Sequence, residues 1–220
     1  PSKTTARMRA DDEHLRIPSG RMMARGHVLA FEGLDQSGKQ TQAERLSAAL
    51  RSEGRRVEFL TFPEYGTAIG AEIGRALRGE RDYAPDTLQL LYIANRYEFR
   101  PCIVEWVDAG AIVICDRYLA SSVAYGEAQG LDPDWLLEVQ RELPQPSLTM
   151  VLDIPPEVSL QRKHAARDKF ERDLPLLSRV RDSYRRQAAA PAWVLIDGQQ
   201  TIDAVSAAVI RAVGSRLAPL

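Results

Sequence analysis

One nine-residue segment, GLDQSGKQT, constrains the fold of this 220-residue chain more than any other. It follows the apolar run HVLAFE and leads into a stretch where Leu46 and Leu50 recur at helical spacing. Two glycines between a strand and a helix predict a loop whose backbone N–H groups surround phosphate, helped by the positive end of the helix. The alternative, a glycine-rich turn that binds nothing, fits the flanking strand and helix less well. The predicted nucleotide-binding residues are Gly33, Leu34, Asp35, Gln36, Ser37, Gly38, Lys39, Gln40 and Thr41, with Lys39 reaching the β- and γ-phosphates of ATP.

A magnesium site is expected beside this loop. Gln40 stands where such loops usually carry a Ser or Thr hydroxyl that ligates Mg²⁺. An amide oxygen can also bind magnesium, and Thr41 comes directly after it. Asp116 closes the apolar run AIVIC and supplies a carboxylate. The predicted metal ligands are therefore Asp116, Gln40 and Thr41.

Strand and helix patterns alternate along the rest of the chain. Five apolar runs, HVLAFEG, RRVEFLTFP, AIVICDR, SLTMVLDI and WVLIDG, predict strands. Helical segments between them are marked by Pro85, Asp132, Pro156 and Thr201, with a kink expected near Pro101. This alternation predicts an α/β fold, a three-layer sandwich whose five-stranded parallel sheet is flanked by helices. With the phosphate loop it is the pattern of P-loop nucleoside triphosphatases.

A single domain is expected over residues 27–220, preceded by a flexible tail over residues 1–26. The tail lacks apolar periodicity and the continuous apolar core of a secretory signal. A lid segment is predicted at about residues 162–175, where RKHAARDKFERD places Arg162, Arg167 and Arg172 between two helices. A solvated helix connection is the alternative interpretation of this charge pattern.

Composition argues against several classes of partner. The formal net charge of -1 provides no positive field to recruit nucleic acid or an anionic membrane. No apolar run approaches the roughly 20 residues that span a bilayer. Cys102 and Cys115 lie in apolar surroundings without a CxxC pattern, which favours two buried, reduced thiols and a cytoplasmic location.

Two further pairs of residues suggest substrate contacts. Asp116 and Arg117 end a strand, where the carboxylate can serve magnesium and the guanidinium can bridge two phosphates. A surface ion pair is the alternative. Tyr92 and Arg96 lie four residues apart on one helix face, where a ring can stack on a base while the arginine donates to its carbonyl edge. A core tyrosine beside a surface arginine is the alternative there.

As a set, these motifs resemble the thymidylate kinase family from about Val28 to the end of the chain. FEGLDQSGKQTQ resembles its phosphate loop, FPEYGTAIG its second-strand motif and LLYIANRYEF its thymine-contacting helix. DRYLASSVAYG, PSLTMVLDIPPEVSLQR and WVLIDG resemble its later motifs in the same order.

The resemblance implies a role for each matching residue. Asp35 would contact the deoxyribose 3′-hydroxyl, Tyr92 would stack on thymine, and Arg96 would donate to its carbonyl. Arg117 would hold the acceptor phosphate beside Asp116, and Arg162 would pack against adenine. The implied substrate-binding residues are Asp35, Glu64, Tyr92, Arg96, Arg117, Ser121 and Tyr125, and the implied catalytic residues are Lys39, Asp116, Arg117, Arg167 and Arg172.

Three departures from the family pattern stand near the predicted site besides Gln40. Gln36 is neutral where some members carry a catalytic arginine, which transfers that role to Arg167 and Arg172. Tyr65 replaces an arginine of the eukaryote-like motif, and Gly126 replaces a glutamine common in bacterial members.

The function implied by the resemblance is transfer of the ATP γ-phosphoryl group to dTMP, giving dTDP and ADP with Mg²⁺ as cofactor. A homodimer is implied as well. One alternative is a kinase for another nucleotide or a deoxynucleoside. The other is a nucleotide-binding module that has lost phosphoryl transfer, which Gln40 and Tyr65 favour.

Overall fold

Five parallel strands form one sheet in the order β2-β3-β1-β4-β5. The computed structural model describes residues 25–162 and 173–216. The strands are β1 (His27–Glu32), β2 (Val57–Thr61), β3 (Ile112–Asp116), β4 (Leu148–Asp153) and β5 (Trp193–Asp197). All five strand predictions are confirmed. Most of the predicted tail, and the lid residues Arg167 and Arg172, lie outside the described residues.

Eight helices connect and flank the strands within the described ranges. They are α1 (Lys39–Ser52), α2 (Ala68–Leu77), α3 (Pro85–Asp108), α4 (Leu119–Ala128), α5 (Pro133–Glu138), α6 (Pro156–Arg162), α7 (Leu174–Gln187) and α8 (Ile202–Gly214). The predicted caps are confirmed: the Asp132 side chain accepts from the N–H of Asp134, and that of Thr201 from the N–H of Ala204. Each bond satisfies a backbone donor that the first helical turn leaves unpaired.

The hydrophobic core has one layer on each face of the sheet. Alternate residues of β1 point to opposite faces, so Leu29 and Phe31 pack with α1 and α8, while Val28 and Ala30 pack with α3. Helices α4 and α7 cover the same face as α3, over β4. The molecule is thus the three-layer α/β sandwich expected, with β1 and β3 covered on both sides.

Helix α4 and the exposure of Cys102 differ from expectation, whereas the long helix α3 is confirmed. Helix α4 was not predicted, because nearly every residue in it is buried and no amphipathic period appears in the sequence. Helix α3 continues through Pro101 to Asp108. Cys102 is exposed on this helix, whereas Cys115 is buried in β3 as expected.

The carboxyl edge of the sheet brings the predicted polar residues together. Asp116, the last residue of β3, lies in register with Phe31 of β1 and Thr61 of β2. Strand β3 lies beside β1 on one side and β4 on the other, and the chain crosses from the first side to the second after β3. A crevice therefore opens beyond the carboxyl end of β1. The phosphate loop and α1 follow directly from that point.

Gly126 marks a close contact between α4 and α5. A Cβ at this position would lie 2.5 Å from Cδ1 of the fully buried Leu136. A larger side chain would therefore have to displace Leu136, which gives a structural reason for the glycine at this position.

We expect Gly126→Ala to destabilise the fold by about 1–3 kcal/mol, because the added methyl must displace Leu136. Urea unfolding measures the change. The matched control is Gly214→Ala at the end of α8, where nothing lies within 4 Å of the added Cβ and helix propensity favours alanine. Equal stability of the two variants would contradict the packing argument.

Candidate functional site

The loop between β1 and α1 has a backbone shape that requires its glycines. Gly33 has φ +132°, and a Cβ there would lie 2.5 Å from the carbonyl oxygen of Leu152. Gly38, with φ +97°, also adopts a conformation that residues with a side chain disfavour, and open space surrounds its Cβ position. Lys39 is buried, and its Nζ donates to the Leu34 carbonyl oxygen at 2.8 Å. This geometry fits a phosphate cradle closed by one ammonium group.

The carboxylate of Asp116 lies in the same cleft as Lys39. Asp116 is only 8% exposed, and its Oδ1 has no hydrogen-bond partner among the described residues. A buried carboxylate oxygen needs a donor or a cation, so this residue fits a magnesium ligand. Gln40 and Thr41 also line the cleft and are exposed, but the Gln40 Nε2 donates to Glu44 at 2.9 Å. Across residues 25–162 and 173–216, no cluster of three or more His, Cys, Asp or Glu side chains could hold a metal alone.

Arg117 begins the turn after β3 in the left-handed backbone region, with φ +63°. This conformation is uncommon for a residue with a side chain and marks a constrained turn. Its Nη2 donates to Asp35 Oδ1 at 2.6 Å, and its guanidinium lies 5.4 Å from the centroid of the Tyr125 ring. Burial opposes the charge of Arg117, but Asp35 and the groups around it outweigh that effect and raise its pKa well above the ordinary value. Two predicted residues, Asp35 and Arg117, thus form one ion pair.

Glu32, which was not predicted, organises this turn. Its side chain is fully buried, and it accepts three hydrogen bonds. They come from the Tyr118 N–H at 2.8 Å, the Ser121 hydroxyl at 2.6 Å and the Tyr184 hydroxyl at 3.2 Å. Ser121 in turn accepts from Arg117 Nη1 at 3.1 Å. The buried carboxylate therefore connects β1 to the guanidinium of Arg117 through one hydroxyl.

A cleft of about 610 Å³ opens on one side of the Asp35–Arg117 pair. Arg96 is buried in its wall, where its Nη1 donates to Ser122 Oγ at 2.7 Å and its guanidinium lies 5.9 Å from the Phe62 ring centroid. Burial lowers the pKa of Arg96. The predicted Tyr92, Ser121 and Tyr125 line the same cleft. Side chains that the sequence analysis missed here are Phe62, Leu77, Gln89 and Ser122.

A larger cleft of about 1450 Å³ opens on the other side of the pair, along the phosphate loop. Arg162 lies at its outer edge and donates to the carbonyl oxygens of Gln36 at 3.1 Å and Gly198 at 3.0 Å. Gln200 and Ile202, which the sequence analysis missed, also line it. The planar guanidinium of this exposed arginine can stack on a flat base.

One predicted substrate residue lies apart from both clefts. The Glu64 Oε1 accepts from the N–H of Gly66 at 2.8 Å, and its side chain lines neither cavity. Tyr65, its neighbour, is 52% exposed and lines both. A role for Glu64 with substrate stays a prediction.

The part of the chain that forms both clefts matches a known protein family. The thymidylate kinase family profile matches residues 31–209, which include both clefts. The chain belongs to the thymidylate kinase family. This membership makes it an enzyme of the ATP-dependent nucleoside monophosphate kinases.

Individual members of the thymidylate kinase family match over most of their length. The chain is 33% identical to the thymidylate kinase of Schizosaccharomyces pombe over 162 residues, or 74% of this chain and 77% of the relative. It is 31% identical to the human thymidylate kinase over 183 residues, or 82% of this chain and 86% of the relative. The solved structure of thymidylate kinase from Candida albicans superposes with a TM-score of 0.74 at 27% identity, covering 87% of this chain and 92% of that one.

The protonation of Lys39 should make nucleotide binding depend on pH. Burial first, and then the charge of Arg117, lower the pKa of Lys39 to about 8, although Asp35, Asp116 and Glu32 act to raise it. Below pH 8 the lysine is already charged, whereas above it nucleotide binding must take up a proton. We expect the Kd of metal-free ADP to rise about tenfold between pH 7 and pH 9.

Isothermal titration calorimetry in EDTA measures this dependence, and buffers of different ionisation enthalpy report the proton taken up. Lys39→Arg is the matched control, because its guanidinium stays charged over the same range. A Kd for the unaltered protein that is constant from pH 7 to pH 9 would contradict the assignment.

Proposed function

We propose that this chain transfers the γ-phosphoryl group of ATP to dTMP, giving dTDP and ADP. The observation that carries the proposal is the position of Asp35 and Arg117, which line both clefts. A donor triphosphate in the larger cleft and an acceptor monophosphate in the smaller one would meet at this ion pair. Direct transfer requires such a junction, because the reacting oxygens must lie in line with the γ-phosphorus.

The acceptor site suits a pyrimidine deoxynucleotide. Tyr92 offers a ring for stacking, and Arg96 offers a buried donor for a base carbonyl. Tyr125 lies against Arg117 and reaches Asp35 Oδ2 at 3.4 Å, where a deoxyribose would be enclosed between base and phosphate. The ring of Tyr125 would leave little space for a ribose 2′-hydroxyl.

The chain's own charges would stabilise the transfer. Backbone N–H groups of residues 33–41 and the ammonium of Lys39 would hold the β- and γ-phosphates. Arg117 would hold the acceptor phosphate, whose oxygen forms the new bond to phosphorus as the bond to the ADP oxygen breaks. No covalent enzyme intermediate is required, since positioning and charge neutralisation suffice for this chemistry.

Magnesium would be held by Asp116, and Thr41 and Gln40 line the same cleft with further side-chain oxygens. When bound, the ion supplies neutralisation of the β- and γ-phosphate oxygens. Asp116 is the best supported of the three ligands, because its buried Oδ1 has no partner among the described residues, whereas the Gln40 amide is oriented by its bond to Glu44.

Two further predictions belong to this proposal. Arg167 and Arg172, assigned to a lid, would complete the positive charge around the transferring group. A cytoplasmic homodimer also stays a prediction. Among the residues that the structure describes, no helix has both the length and the apolar character needed to cross a membrane.

The test is ADP production from Mg-ATP with a panel of acceptors: dTMP, dUMP, dCMP, dGMP, AMP, thymidine and no acceptor. We expect turnover with dTMP, weaker use of dUMP, and a loss of about 100- to 1,000-fold in kcat for Lys39→Ala.

Preferred turnover of another acceptor would indicate a different kinase of the same fold. Binding of ATP without turnover on any acceptor would overturn the proposal. It would favour a nucleotide-binding module that has lost phosphoryl transfer. The hydrogen bond between Gln40 and Glu44 would then explain part of that loss.

A further inference from the structure

Gln89 is a buried polar side chain in the smaller cleft that none of the roles above uses. It lies on α3, is only 2% exposed and lines the cavity. Its Oε1 is buried and has no hydrogen-bond partner within the described part of the chain. An unpaired buried acceptor is costly, so its persistence beside a cavity points to a ligand that supplies the donor.

The face of α3 fixes where that ligand would lie. Gln89, Tyr92 and Arg96 stand at i, i+3 and i+7, and therefore on one side of the helix. Gln89 and Arg96 are two turns apart, about 10.5 Å along the axis. This distance leaves room for a pyrimidine ring whose row of polar groups, O4, N3 and O2, extends from Arg96 towards Gln89, while Tyr92 lies between to contact the face of the ring.

The two ends of this helix face have different surroundings. Arg96 is fixed by Ser122 and Phe62 and offers donors only. Gln89 packs against α4 at Gly126, whose ideal Cβ position lies 3.4 Å from the Gln89 Cγ. Gln89 therefore lies on the α4 side of the cleft, two helical turns from Arg96, and its carboxamide carries an acceptor beside a donor.

We propose that Gln89 recognises the N3–O2 edge of the acceptor base and selects thymine and uracil over cytosine. This inference rests on the proposed function. In thymine and uracil, N3–H is a donor next to the O2 acceptor, so one carboxamide pairs with both. Cytosine presents acceptors at both positions, and the Gln89 Oε1 would stay buried and unpaired. A site built around such a hydrogen bond rejects a base that lacks the donor.

The test compares kcat/KM for dTMP, dUMP and dCMP in the unaltered enzyme and in Gln89→Met, which keeps the length of the side chain without its hydrogen bonds. We expect dTMP and dUMP to lose roughly 10- to 100-fold together, mainly through KM. The value for dCMP should change less than about threefold, so the preference for dTMP over dCMP narrows by at least about threefold.

Gln140→Met is the matched control. Gln140 is also a buried glutamine whose Oε1 lacks a partner among the described residues, but it lines neither cleft, and its Nε2 donates to the Leu136 carbonyl oxygen at 2.9 Å. Its replacement should reduce stability and leave the ratio of dTMP to dCMP unchanged.

Equal losses for dTMP and dCMP in Gln89→Met, or no loss for either, would overturn the inference. Failure of the proposed function is distinguishable, because it would appear in the unaltered enzyme as absent turnover of dTMP. Calorimetric binding of dTMP and dCMP to both proteins would still test Gln89 in that case, with the same narrowing of preference expected in Kd.

Discussion

The site depends on one buried carboxylate. Glu32 ends β1 and has no exposed surface. Its three hydrogen bonds hold Tyr118 and Ser121 after β3 and Tyr184 in the last turn of α7. A carboxylate in this position is costly unless its oxygens are paired, so the strand, the turn and the helix must meet in one arrangement. That arrangement places Ser121 against Arg117, which keeps the arginine in its left-handed conformation facing Asp35. A core interaction thus determines the position of Arg117, which holds the acceptor phosphate in the proposed reaction.

The Asp35–Arg117 pair then connects the two halves of the proposed reaction. Asp35 belongs to the phosphate loop and Arg117 to the turn after β3, so the pair joins the donor and acceptor sites with a bond of 2.6 Å. Before substrate binds, the carboxylate neutralises the guanidinium in a partly desolvated position. An acceptor phosphate would contribute a second negative group, and Arg117 has the donors to hold both. A rigid β-sheet edge with short connections supplies the precision that phosphoryl transfer needs.

Much of the fold and part of the site could be predicted from local sequence. The five apolar runs and the glycines at positions 33 and 38 indicate strands and a phosphate loop because those signals are local. Helix α4 has no such signal, since it is buried on nearly all sides. Glu32 could have been noticed as a charged residue ending the apolar run HVLAFE. Its partner Tyr184 comes from α7, 152 positions later, and the tertiary packing of α7 against α4 and the sheet brings the two together. Gln89 could have been found as the residue one turn before Tyr92 on the same helix face.

The most direct test of this account is the effect of Glu32→Gln on the two substrates separately. An amide has one acceptor oxygen for three donors, so the turn at Tyr118 and Ser121 should loosen and misplace Arg117. Steady-state kinetics should show a fall of about 10- to 100-fold in kcat/KM for dTMP, while calorimetric ADP affinity changes less than about twofold. Loss of unfolding free energy with unchanged dTMP kinetics, or equal losses for both nucleotides, would contradict the claim that Glu32 positions Arg117.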